Sequence, residues 1–315
     1  MALPAAHVEP LSAPRAVLRL QGRSARFGAP TGIGLALLFL VAFGGSGAAM
    51  VALALDLLGP GRPEGAPRGI LLAFGALFMF CGLAIGAQAA RRILRERRAR
   101  RMRGEYPDEP WRWERVWARE TKDEGGRKLV QGLTTSVVMM LFLAPFHWIG
   151  LTQRGAGVFL VVTLIFDVFV LAYVVRAVHL ALRYVRLGTS RLTLERVPCM
   201  LGEHLEATLT PARPIPGVQS LELTLRCVEE RTEVQRRGNK SHHTVVHYAL
   251  HTQLLTVEAS ALAEGRALPL SLPLPSDVPE LTTCLTAEAP RYWELECRAA
   301  RPGVDYRAVF LVPVY

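Results

Sequence analysis

Four long apolar runs constrain the fold of this chain more than any other feature. They cover about residues 31–58, 69–90, 129–151 and 155–182. The first reads TGIGLALLFLVAFGGSGAAMVALALDLL, with Asp56 as its only charge, and the second, GILLAFGALFMFCGLAIGAQAA, has none. A helix needs roughly 20 apolar residues to cross ~30 Å of hydrocarbon, and each run supplies them. One such run can be a buried soluble helix; four predict a membrane α-helical bundle, with transmembrane hairpins over 31–90 and 129–182. The first run starts too late and is too long for a cleaved signal peptide, and it leads straight into a second span. These runs account for a mean hydropathy of +0.23 in a chain with 20% charged residues.

The cations orient the bundle. Arg91, Arg92, Arg95, Arg97, Arg98, Arg100, Arg101 and Arg103 follow the second run, and Arg127 and Lys128 precede the third. The arm over 1–30 carries Arg15, Arg19, Arg23 and Arg26, whereas the two short loops hold only Arg62, Arg68 and Arg154. The positive-inside rule then puts the arm, the loop over 91–128 and the C-terminal domain in the cytoplasm of a multi-pass inner-membrane protein. Of 37 basic residues only Lys122, Lys128 and Lys240 are lysines, a bias that suggests a GC-rich bacterial genome. The net charge of +10 reads as topology signal and contact with anionic headgroups. No nucleic-acid-binding motif accompanies it.

Within the runs, Gly82 and Gly86 form a GxxxG step, and Gly44, Gly45, Gly47 and Ala48 cluster in the first span. Small residues let helix backbones approach. Asp167, in the fourth run, is the intramembrane polar candidate, because a carboxyl in hydrocarbon needs a proton or a partner. Thr134, Thr135, Ser136 and Thr163 are its expected hydrogen-bond partners.

The loop over 91–128 opens as an arginine-rich extension of the second helix and stops at Pro107 and Pro110. Asp108 is placed to cap a short helix through DEPWRWERVWARE. Trp113 and Trp117, four apart, would share its face, with Trp111 nearby. Tryptophans among Arg97, Arg98, Arg100 and Arg101 predict a segment at the membrane interface.

From 187 to 315 the period becomes alternating, and seven segments read as strands of an antiparallel β-sandwich. In RYWELECRAA, Trp293, Leu295 and Cys297 are expected inside, with Glu294, Glu296 and Arg298 on a wet face. Cys227 and Cys297 are expected as packed thiols. His242, His243, His247 and His251 tempt a metal reading, with the last three on one strand face. No HExxH glutamate is present, and a four-residue strand step separates alternate histidines by ~13 Å. A histidine-bearing hairpin, with its turn at Arg237-Gly238-Asn239, is therefore expected. No metal, cofactor or catalytic motif is assigned.

Three stretches carry a resemblance: Tyr106-Pro107-Asp108-Glu109-Pro110-Trp111-Arg112-Trp113 with Trp117; Leu187-Gly188-Thr189-Ser190 through Pro198 and Gly202; and Trp293 through Pro302-Gly303-Val304-Asp305-Tyr306 to Val312-Pro313-Val314. Together they resemble an uncharacterised family of bacterial inner-membrane proteins built on a domain of unknown function. Glu114 and Val116 stand where that family carries an arginine and an acid. The closing stretch is also similar to the last strands of arrestin-like sandwiches, which implies an immunoglobulin- or arrestin-like fold.

The leading expectation is a polytopic inner-membrane protein presenting a cytoplasmic β-sandwich as a binding or scaffold module for a protein partner. A homo-oligomer is compatible with it. The alternatives are a small transporter or proton-linked sensor centred on Asp167, and a membrane-associated metal-dependent hydrolase using the histidines.

Overall fold

A computed structural model describes residues 18–20, 26–27, 33–57, 68–152, 157–237, 240–276, 278–300 and 305–315. In chain order, β1 (Leu18–Leu20) precedes α1 (Ile33–Phe39), which runs through a π-helical turn (Leu40–Gly45) into α2 (Ser46–Ala54). Then come α3 (Arg68–Glu105), the one-turn α4 (Pro110–Trp113), β2 (Glu120–Lys122), α5 (Gly125–Thr152) and α6 (Gly157–Leu187). The rest is β3 (Arg191–Leu194), β4 (His204–Thr210), β5 (Ser220–Arg237), β6 (Lys240–Glu258), α7 (Ser260–Ala263), β7 (Leu268–Pro273), β8 (Arg291–Ala299) and β9 (Tyr306–Val312). These elements form two compact units, one over 31–98 and 129–179, the other over 1–30, 99–128 and 180–315.

The helical unit draws on four helices long and apolar enough to cross a membrane, over Gly34–Ala54, Arg68–Glu105, Gly125–Thr152 and Leu160–Leu187. The glycines set its closest packing. A Cβ on Gly47 would lie 2.5 Å from the Met79 backbone nitrogen and 2.6 Å from the Gly75 carbonyl oxygen. One on Gly82 would lie 2.5 Å from the Gly44 nitrogen. The first and second apolar helices thus meet backbone to backbone, which only glycine permits. Phe43 meets Phe78 at 5.3 Å, and Phe74 meets Phe146 edge-on at 5.4 Å, tying α3 to α5.

The second unit holds two antiparallel sheets. One has the order β1-β6-β5-β8-β9 and the other β2-β3-β4-β7. All seven expected strands form, and the arm and the central loop each add a further edge strand. Alternation sends Leu192, Leu205, Leu209 and Leu270 of the smaller sheet into one core with Leu221, Leu223, Leu295 and Phe310 of the larger. Trp293 is fully buried there and donates its Nε1–H to the Leu281 carbonyl at 2.6 Å. Cys227 and Cys297 lie in the same core as free thiols, and burial pushes the Cys227 thiol up to about 12.

Gly188 separates α6 from β3. Its φ of +69° is a left-handed conformation suited to glycine, and its N–H returns to the Tyr184 carbonyl at 2.8 Å, ending the helix. Two residues on, buried Ser190 accepts a hydrogen bond from the Tyr306 hydroxyl at 2.9 Å. Residues from two of the motif stretches therefore meet in space.

Three expectations change. Asp108 does not cap α4; Glu109 occupies that position, and the helix ends after four residues. Trp113 and Trp117 consequently lie on no common helical face. Glu114 leaves the helix to accept hydrogen bonds from the Leu285 N–H at 3.0 Å and the Tyr315 hydroxyl at 3.2 Å. Finally, Glu294 and Glu296 are not on a wet face: both are fully buried.

Candidate functional site

Asp167 on α6 meets His147 on α5, with 2.8 Å between Oδ2 and Nε2. Of the expected Thr and Ser partners, Ser136 is buried and bonds to the Gly132 carbonyl at 3.0 Å within its own helix. The other ring nitrogen of His147, Nδ1, lies 3.1 Å from the Leu143 carbonyl. In sequence His147 is a lone titratable residue in LFLAPFHWIG, and it is the pairing of α5 with α6 that brings it to Asp167. The helical unit therefore contains a carboxylate–imidazole pair able to share a proton between two apolar helices.

The histidines of β6 do not line one face. Cys227 pairs with His251, but Val228 pairs with Ala249, so Leu250 is an inserted residue. Such a bulge reverses the alternation beyond it. His251 turns toward the core, where its ring lies 5.5 Å from that of Trp293. His247 points to the opposite face, where its Nε2 is 3.1 Å from Glu230. The side chains of His242 and His243 lie outside the described residues, as does the turn at Gly238 and Asn239. Among the described residues no group of three or more His, Cys, Asp or Glu is arranged to hold a metal.

The face carrying His247 is charged but dry. Glu230 receives the backbone N–H groups of Arg26 at 2.8 Å and Phe27 at 2.9 Å, one on each carboxylate oxygen. Burial works to raise the Glu230 pKa, but His247 and these two donors outweigh it and hold the carboxyl below its usual range. The Arg26 guanidinium reaches Glu124 at 2.7 Å and Glu294 at 3.4 Å, and sits over the Tyr292 ring. Glu296 is matched by Arg226, by Arg298 at 2.6 Å and by Arg307 at 2.5 Å. The central loop closes the sheet edge: the Val309 N–H donates to Asp123 at 2.9 Å, and the Glu124 N–H to the Val309 carbonyl at 3.4 Å. These clustered ion pairs let the carboxylates be buried. Arg26 could not be picked out in sequence from its many neighbouring arginines.

Two of the three loop tryptophans meet the C-terminal residue. The Trp111 and Tyr315 rings are 5.7 Å apart, edge to face, and Trp117 donates its Nε1–H to the Tyr315 hydroxyl at 3.1 Å. Trp113 lies under the Arg103 guanidinium, 5.1 Å from its ring centroid. Arg97, Arg98, Arg100 and Arg101 are exposed on the polar end of α3.

A pocket of about 320 Å³ is lined by Glu195, Arg196, Cys199, Glu203, His204 and Glu206. Its one thiol is a poor nucleophile, since burial and then the charge of Glu203 push Cys199 up to about 11.

The fold and these sites define a chain with four helices apolar enough for a membrane and a domain of antiparallel sheets. No family model and no curated protein matches the chain, so the resemblance to an uncharacterised family rests on its motifs. Among solved structures it is similar to Spo0M, a sporulation control protein from Bacillus subtilis, at 16% identity and a TM-score of 0.24. That match covers 40% of this chain and 48% of Spo0M, so the chain spans about half the length of that neighbour.

Proposed function

We propose that the chain is a multi-pass bacterial inner-membrane protein whose cytoplasmic β-sandwich serves as a binding or scaffold module for another protein. One observation carries this reading: the arm, the central loop and the C-terminal domain form a single unit. They flank the apolar helices in sequence, yet Arg26 touches Glu124 and Trp117 touches Tyr315. Three segments joined by such contacts share one side of a bilayer, and their arginines favour the cytoplasm. The exposed Arg97, Arg98, Arg100 and Arg101 suit anionic headgroups at that surface. Accessibility labelling of a cysteine added after Tyr315 should report a cytoplasmic position. In-cell photo-crosslinking from the β unit should yield a discrete protein adduct. Periplasmic labelling, or no adduct from any exposed face, would end the proposal.

A second reading is favoured by the His147–Asp167 contact. It makes the helical unit a proton-linked transporter or sensor in which the pair gains and loses one proton. Infrared difference spectra of the full chain in liposomes, taken between acidic and neutral pH, should then show a carboxyl band that Asp167→Asn removes. Identical spectra for the two proteins would discard it.

A further inference from the structure

Two pieces of the chain's own N-terminal arm, Leu18–Leu20 and Arg26–Phe27, lie on the charged face of the larger sheet and mark a groove there. β1 extends the sheet beside β6, with Leu18 opposite Ala249, Arg19 opposite Tyr248 and Leu20 opposite His247. Further along, the arm gives up two consecutive backbone N–H groups to Glu230, at 2.8 and 2.9 Å. Strand pairing and a carboxylate that takes two consecutive N–H groups at a bend both read the main chain, so they supply affinity without reading sequence.

Two side chains supply the selection. Arg26 is only 12% exposed and bridges Glu124, 11% exposed, and Glu294, which is fully buried. One guanidinium nitrogen contacts both acids while its carbon lies 5.3 Å from the Tyr292 ring centroid, and it is this flat, weakly hydrated group over an aromatic ring that a compact ammonium does not reproduce. Phe27 fills the adjoining place, with its ring 5.2 Å from that of Tyr292 and packed against Val228 and Leu311. β1 has three residues, and Leu18 is 60% exposed.

We propose that this face is a docking site for a polypeptide segment that bends at an arginine followed by an aromatic residue, and that the arm is its resident occupant. A partner carrying that step docks by displacing the arm. The inference rests on the reading of the β unit as a binding module and names the chemistry of the segment it takes. Charge complementarity selects the occupant: Glu124, 11% exposed, and the fully buried Glu294 both face the entering guanidinium.

The test uses the full chain, one copy per lipid nanodisc, with a protease site inserted between Ala29 and Pro30. The probe is a fluorescent peptide of residues 14–30, and anisotropy is the readout. The uncut chain should bind it weakly, because the arm holds the groove. After cleavage the peptide should exchange in with a stoichiometry of one. Arg26→Lys or Phe27→Ala in the peptide should weaken binding by about tenfold or more. These changes leave the receptor untouched, so the loss cannot come from misfolding. Glu230→Gln in the cut chain should weaken binding comparably.

Equal binding to cut and uncut chain would overturn the proposal, as would a peptide that tolerates both substitutions. Arm-to-groove crosslinks between copies, in discs loaded with two, would assign the groove to self-association instead. A failed peptide experiment alongside a positive in-cell adduct would remove this groove and leave the binding-module reading standing.

Discussion

Each unit of the molecule sets a histidine against a carboxylate, and the two pairs are built on different supports. In the β unit, Glu230 and His247 are 3.1 Å apart, with side chains 0% and 2% exposed. In the helical unit, Asp167 and His147 are 2.8 Å apart, with side chains 37% and 33% exposed. The difference lies in where spare backbone donors are found. A bend outside regular structure has N–H groups to give, and Glu230 takes two, from Arg26 and Phe27. A helix interior has already spent its N–H groups on its own carbonyls. Asp167 therefore depends on a side chain from the next helix.

The sharpest way to break the comparison is to remove Glu230. Glu230→Ala leaves His247 and two arm N–H groups without their acceptor in a dry site. Breaking a buried pair of this kind costs roughly 3–5 kcal/mol. Denaturant unfolding, followed through near-ultraviolet circular dichroism of the full chain, should show a loss of that size. A loss below about 1 kcal/mol, the worth of an ordinary hydrogen bond, would contradict the burial argument. The acid dependence has a definite sign. A carboxyl held below its usual 4.5 takes up its proton less readily folded than unfolded. Its contribution is complete above the unfolded value and disappears as pH falls through the folded one. Glu230→Gln should flatten that acid limb.

Next in size come the glycines. Gly47→Ala would put a methyl carbon at 2.5 Å from the Met79 nitrogen, and backbone on both sides must give way. Overpacking of this kind costs about 1–3 kcal/mol. Gly34→Ala, with nothing within 4 Å of the added carbon, is the matched control and should cost little. Detergent-induced unfolding of the helical unit checks both. If the two variants behave alike, close approach of the first two helices is not what holds them.

Much of this was legible in the sequence, for unequal reasons. Apolar length marked the four helices, because each run satisfies its requirement locally. Alternation marked the seven strands for the same reason. The fate of Glu294 and Glu296 was not legible. Alternation places them on the face of β8 opposite Trp293 and Leu295, but Arg26 and Glu124 arrive from distant parts of the chain to cover that face, so it is not wet. One inserted residue, Leu250, reversed the side on which His251 falls, and no composition signal announces a bulge. His147 was visible as a lone polar residue in an apolar run, but pairing it with Asp167 required knowing which helices are neighbours.

A smaller effect separates the loop from the bilayer surface as the home of the tryptophans. Trp117→Phe keeps an aromatic ring, though a smaller one, and deletes the Nε1–H that Tyr315 accepts at 3.1 Å. A hydrogen bond of this type contributes about 1 kcal/mol. Tyr315→Phe removes this bond and the one its hydroxyl donates to Glu114, so it should cost more alone, and Trp117→Phe should lose less in the Tyr315→Phe background than by itself. Independent, additive losses in thermal unfolding would show that the contact with Tyr315 does not anchor the loop.

The smallest expected effect tests the helical pair directly. A double-mutant cycle of His147→Ala and Asp167→Asn, measured on the full chain in bicelles, isolates their coupling from what each residue does alone. Side-chain pairs between apolar helices in a bilayer couple by about 0.6 kcal/mol on average and by at most ~1.7, because the separated helices find other partners. The same cycle on Glu230 and His247 should give a larger coupling, since a buried site in the β unit offers no replacement. Equal couplings would erase the contrast between donated backbone and borrowed side chain. A helical coupling well above ~1.7 kcal/mol would show that the pair is more tightly enclosed than its one-third exposure indicates. That outcome would strengthen the proton-linked reading, because a pair held so firmly loses its counter-charge only when a proton moves.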